Sequence, residues 1–122
     1  MWSSTSTSSI TALSEALIKQ HCRSPQQGLQ RLDEAEVPTL LGQLEDWQWH
    51  PQQAQIHKTL HFDNYYQTSA FVNALVWLAH REDHHPEICF GYRECRISLT
   101  THAVQGLSLN DFILAAHIDG LR

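Results

Sequence analysis

The sequence predicts an α+β domain, a four-stranded antiparallel sheet with helices packed on one face, in the order α-β-β-α-β-β-α. Three observations predict it. Ile56, Lys58, Leu60 and Phe62 interleave with His57, Thr59 and His61, and Cys95, Ile97 and Leu99 with Arg96 and Ser98, the period of half-buried strands. Between these stretches Tyr65, Ala70, Phe71, Val72, Ala74, Leu75, Leu78 and Ala79 form a broad apolar stripe at helical spacing. A second helical pattern, Phe112, Ala115, Ala116 and Ile118, closes the chain. Such helices bury their stripes by lying against the apolar face of the sheet.

Taken in order, Met1 to Ser9 is polar and low in complexity. Ile10 to His21 carries a short helical pattern that ends near Ser24-Pro25-Gln26-Gln27-Gly28, where Pro and Gly mark a break. Residues 1–30 therefore read as a flexible or partly helical N-terminal extension, and 31–122 as the folded domain. Asp33 is a plausible N-cap with Glu36 at the capping-box position, ahead of Val37, Leu40, Leu41 and Leu44. Pro38 should weaken this helix by removing a donor from its early turns. The segment around Trp47 to Trp49, a turn at Pro51-Gln52-Gln53 and the Ile56 to Phe62 stretch form a first hairpin. Asp63-Asn64 opens the long helix, which should stop before Pro86, whose ring disfavours helical geometry at His85. Ile88 to Phe90 and Tyr92 to Thr101 form a second hairpin around Gly91. Gly106 then closes a loop, and Ser108 caps the last helix.

Composition narrows the function classes. The 122 residues fit one domain by the usual measure of about 100–200 residues each. A hydrophobic fraction of 42% with 17% charged residues is too apolar for a disordered chain, and no run has the length of a membrane span. The net charge of −5 argues against a non-specific nucleic-acid or anionic-membrane surface, which would want a cationic face. Cys22, Cys89 and Cys95 make no C-x-x-C pair and are odd in number, which points to a reducing, cytoplasmic setting. The N-terminus lacks the basic and apolar regions of a secretory signal.

The chain's 9 histidines outnumber its 8 Lys and Arg. His80, His84, His85, His102 and His117 lie in the C-terminal half, several of them where a helix or strand gives way to a loop. His80 and His84 are four apart, so a helix persisting to His84 would put both on one face. A zinc or copper site would want three neutral imidazoles, but the H-E-x-x-H pair is absent, since the chain reads His80-Arg81-Glu82-Asp83-His84. No metal is expected. Imidazoles titrate near neutrality, so two of them can take one proton and give another within a turnover.

His80, His84-His85-Pro86-Glu87, Tyr92, Thr101-His102, Gly106-Leu107-Ser108 and Asp111 together resemble the signature of the pterin-4a-carbinolamine dehydratases. Three residues separate His80 from His84, six His85 from Tyr92, nine Tyr92 from His102 and eight His102 from Asp111, and every spacing matches. Trp47 and the strand ending His61-Phe62-Asp63 look like the family's first hairpin. The resemblance extends over Asp33 to Arg122.

It implies an enzyme that dehydrates 4a-hydroxytetrahydropterin to the quinonoid dihydropterin, recycling the cofactor of aromatic amino-acid hydroxylases. The pterin is the substrate, and no cofactor or metal is implied. On this resemblance His84 and His102 are the proton-transfer pair, with acid and base left open between them, and His85 binds the pterin. Pro86 fixes the turn that presents both histidines, Trp47 offers an apolar wall, and Asp111 orients an imidazole or supports the loop. His80 stands where the family commonly has an acid. The residues also allow plainer roles: Asp111 completes a capping box with Ser108, and Trp47 and Tyr92 read more readily as core aromatics than as ligand walls. Relatives of this fold self-associate as dimers or dimers of dimers, so a homodimer or homotetramer is expected. Others act as non-catalytic protein-binding modules, partnering a transcription factor or assembling an enzyme, which is the competing function.

Overall fold

The structure is a computed structural model and describes residues 16–121. Within them the chain forms α1 (Val37–Leu41), β1 (Gln48–His50), β2 (Gln55–His61), α2 (Tyr65–Glu82), β3 (Glu87–Phe90), β4 (Glu94–Leu99) and α3 (Leu109–Asp119). This is the order the sequence predicts. Half of the helix expected from Ile10 to His21 lies outside the described residues, and the described half holds one 3-10 turn, Leu17–Lys19.

The strands order as β1-β2-β4-β3, antiparallel throughout. Both hairpins form as predicted, and the long-range pairing of β2 with β4 joins them. Its register sets Ile56 opposite Leu99, Lys58 opposite Ile97 and Leu60 opposite Cys95, so the alternating residues of both central strands point to one buried face. Thr59 and Arg96 stand exposed on the other face. Leu75 and Leu78 of α2 and Phe112, Ile113 and Leu114 of α3 complete the core. Each such side chain contributes about 1.5–3 kcal/mol by leaving water. Leu17 joins them at 1% exposure, which draws the segment ahead of α1 onto the domain.

Local signals explain the helix ends. The Asp33 amide donates to Glu36 Oε1 at 3.0 Å, the expected capping box, one 3-10 turn ahead of α1. Pro38 sits in the first turn of α1, where its missing N–H has no partner to lose, so it starts the helix instead of weakening it. Asn64 Oδ1 accepts the Gln67 amide at 2.9 Å and caps α2. At the other end Asp83 adopts a left-handed backbone, φ 52°, which stops α2 three residues before Pro86.

That stop separates two histidines expected on one face. His80 remains on the helix and is exposed, whereas His84 lies beyond it and is buried. The two aromatic residues separate. Tyr92 is 68% exposed in the β3–β4 turn and stacks on Tyr65, so it is no core residue. Trp47 is buried, but its Nε1 donates to Asp119 Oδ1 at 2.9 Å at the far end of α3, alongside Lys58 Nζ at 2.8 Å. Asp119 lies eight residues beyond Asp111, about 12 Å along the helix. Trp47 is therefore packed in the core at the end of α3 away from Asp111.

Candidate active site

Three chain segments meet at the N-terminus of α3. The end of β4 brings Thr101 and His102, where a Thr101–Gly106 bridge closes the loop and His102–Val104 makes a 3-10 turn. Residues 83–86, between α2 and β3, bring His84, His85 and Pro86. The first turn of α3 brings Ser108, Asn110 and Asp111.

Asp111 ties the three together. It is fully buried, and its Oδ1 lies 2.6 Å from His84 Nε2. Its Oδ2 accepts the Thr101 hydroxyl at 2.8 Å and the Ser108 amide at 3.0 Å. Because the Thr101 proton goes to the carboxylate, the Ser108 hydroxyl donates to Thr101 Oγ1, 2.7 Å away. An ionised carboxylate can only accept, so the ring nitrogen facing it donates. In a neutral His84 ring this bond puts the proton on Nε2 and the lone pair on Nδ1. The sequence offered Asp111 two roles, helix cap and imidazole support. One carboxylate performs both, with one oxygen for each.

His84, His85 and His102 line one cavity of about 570 Å³ together with Asn110, Glu82 and the strap 22–27. His85 and His102 are exposed at its mouth, whereas His84 is 8% exposed and sits deeper. Pro86 is half-buried just behind the histidine pair and leads directly into β3. His80 and Trp47 are not among the residues lining this cavity.

The strap is the part that sequence reasoning missed. Asn110 Oδ1 accepts the Arg23 amide at 2.9 Å and its Nδ2 donates to the Arg23 carbonyl at 2.7 Å, a pairing like that of two strands. Glu82 Oε1 accepts the Cys22 amide at 2.8 Å, and Oε2 meets His21 Nδ1 at 2.9 Å and Arg81 Nε at 3.1 Å. Burial pushes the Glu82 carboxyl up, but the Cys22 amide, the His21 ring and the Arg81 guanidinium outweigh it and hold the group below its ordinary value. One signal for Glu82 was available. An acid in the last turn of a helix opposes the helix dipole and needs donors from elsewhere. Burial, with the nearby charges of Glu82 and Asp111, pushes the Cys22 thiol far up, so it stays protonated and is no nucleophile.

Comparison with known proteins adds a consistent set of likenesses. The family model described as pterin 4 alpha carbinolamine dehydratase matches residues 30–121. A protein of Hydrogenovibrio crunogenus, provisionally named pterin-4-alpha-carbinolamine dehydratase, is 48% identical over 106 residues, 87% of this chain and 94% of its own. One of Nitrosospira multiformis, named in the same provisional way, is 46% identical over 111 residues, 91% of this chain and 96% of its own. Among solved structures, a transcriptional coactivator/pterin dehydratase from Brucella melitensis superposes with a TM-score of 0.71 at 26% identity, covering 75% of this chain and 97% of that one. A pterin dehydratase-like protein identified as a RuBisCO assembly factor in the alpha-carboxysome gives 0.56 at 28% identity, covering 63% and 89%.

Proposed function

The chain belongs to the pterin 4 alpha carbinolamine dehydratase family, and from that premise we propose that it dehydrates 4a-hydroxytetrahydropterin by histidine acid–base catalysis, in the recycling of pterin cofactors. One observation carries the proposal. His84, held from behind by Asp111, lines the same cavity as His85 and His102, so three imidazoles border a space large enough for a flat bicyclic ring.

The reaction breaks the C4a–O bond and forms the C4a=N5 bond. One imidazole takes the N5 proton while another protonates the departing hydroxyl, so water leaves and no electron is gained or lost. His84 and His102 are the pair assigned to these transfers. His84 Nδ1, with its lone pair held ready by Asp111, suits the base, and exposed His102 exchanges protons readily with solvent. His85 binds the pterin at the cavity mouth. After turnover the two rings have exchanged protonation states, and water resets them. Each general acid or base of this kind contributes typically 10²–10⁴-fold.

The test is turnover of enzymatically generated 4a-hydroxytetrahydropterin. Purified protein should accelerate its decay, and His84→Ala combined with His102→Ala should abolish the acceleration. Retained activity in the double variant would remove the mechanism.

The expected self-association has its own observation. The outer face of α2 carries Tyr66, Val76 and Trp77 at 83%, 53% and 60% exposure, more apolar surface than a lone helix face needs. We assign this face to self-association as a homodimer or homotetramer. Light scattering on Trp77→Glu should then give a smaller particle than the parent chain. A stoichiometric foreign partner with no pterin turnover would instead favour the binding module. Among the described residues no helix is long and apolar enough to cross a membrane.

A further inference from the structure

We propose that His21, Glu82 and His117 form a binding site for a divalent transition metal such as Zn2+, one that fastens the N-terminal strap onto the domain. The three ligand atoms lie within 4.8 Å of one another. They come from three segments distant in sequence: the strap, the last turn of α2 and the last turn of α3. Two imidazoles and one carboxylate are a donor set that zinc accepts, with water in the fourth position.

Two of the three ligands are already held by other groups. Glu82 is 6% exposed, and the Cys22 amide holds its Oε1 while Oε2 faces His21 Nδ1 at 2.9 Å. His117 Nε2 lies 2.8 Å from the Gln20 carbonyl, which can only accept, so this nitrogen carries the proton and Nδ1 the lone pair. Metal-binding histidines are commonly held by such a bond from the second nitrogen to a backbone oxygen. Zinc–nitrogen bonds of about 2.0–2.1 Å put tetrahedral ligand atoms roughly 3.3 Å apart. The His21–Glu82 separation, 2.9 Å, is already of that order. The His21 side chain, 70% exposed, stacks on the His117 ring at 5.6 Å and would turn out of that stack to close the set.

A second observation marks the spot as a cation position. The Arg81 guanidinium bridges two of the same ligand atoms, with Nε 3.1 Å from Glu82 Oε2 and Nη2 3.5 Å from His117 Nδ1. Its side chain is 40% exposed and also lies over the Trp77 ring at 5.3 Å, so it can withdraw along the helix surface when a dication arrives. Arginine and metal would compete for one place. The site lies outside the imidazoles assigned to proton transfer, and its existence does not depend on the pterin reading.

Zinc binding to the full chain is measured by competition with a chromophoric chelator, alongside the rate of tryptic cleavage after Arg23. The expected result is one Zn2+ per chain, with a dissociation constant on the order of micromolar or tighter. His21→Ala and His117→Ala should each weaken binding about tenfold or more. Arg81→Met should tighten it, His57→Gln should leave it unchanged, and zinc should slow the cleavage in the parent chain but not in His21→Ala. Affinity unchanged in His21→Ala, or binding lost with His57→Gln or Arg81→Met, overturns the assignment. Because His21 is exposed, its removal tests the site even if His117→Ala fails to fold.

Discussion

His84 Nε2 and Asp111 Oδ1 stand 2.6 Å apart although 27 positions separate the residues, and the same carboxylate closes the first turn of α3 through the Ser108 amide. The helix cap and the imidazole support are thus one group. Asp111→Asn should separate them. The amide keeps the size and one acceptor oxygen, but its NH2 group can present a donor to His84 and so favour the wrong tautomer. The expected outcome is a fall in kcat of about 10²-fold or more at nearly unchanged KM. Unfolding in urea should show a loss of only about 1–3 kcal/mol.

Asn110 differs from Asp111 in touching the strap and not an imidazole. Asn110→Ala removes both bonds to the Arg23 backbone, each worth about 0.5–1.5 kcal/mol. The strap should then lift from the cavity. Trypsin should cleave after Arg23 faster, and KM for the pterin should rise while kcat stays within about twofold. An unchanged KM with faster cleavage would mean that the strap does not wall the substrate site.

Asp119 provides the opposite contrast. It accepts from Trp47, Lys58 and the Glu45 amide in a pair whose Lys58 and Asp119 side chains are 9% and 12% exposed. Asp119→Ala leaves the Lys58 ammonium buried without its partner and should cost about 3 kcal/mol. Turnover per folded molecule should not change, because Trp47 and Asp119 sit at the end of α3 away from Asp111. A large loss of kcat in fully folded protein would restore Trp47 to the substrate wall.

His57 supplies a pH dependence. Burial, then the neighbouring His50 ring and Arg96, push its pKa below the ordinary 6.5, and the His50 and His57 rings stack at 4.2 Å. The folded state therefore binds this proton less readily than the unfolded chain. The associated stability is fully present above about pH 6.5 and falls as the pH drops through the folded-state value. Urea midpoints between pH 8 and pH 5 should decline less steeply in His57→Gln than in the parent, and parallel profiles would remove the effect.

Particular residues show where legibility ended. The capping pairs Asp33–Glu36 and Ser108–Asp111, the Asn64 cap and both hairpins were readable because each signal is complete within a few positions of the chain. His84, His85, His102 and Asp111 were readable as a set because a spaced pattern survives in one dimension. The exposure of Tyr92 and the location of Trp47 were not, since an aromatic residue near a turn looks alike whether core, ligand wall or solvent lies beside it. Glu82 and Asn110 were missed because their partners, His21 to Arg23, lie 60 or more positions away.

By itself, then, the sequence determined the α+β class, the element order and the helix caps, because these follow from periodicity and short-range hydrogen bonding, while its resemblance to the dehydratase signature singled out the candidate imidazoles. Only the tertiary structure decided that Asp111 holds His84, that Asp83 turns His84 away from His80, that Trp47 belongs to Asp119 and that the strap reaches the cavity. Those outcomes depend on which distant segments the β2–β4 pairing and the burial of α3 bring within about 3 Å, the range at which a hydrogen bond acts.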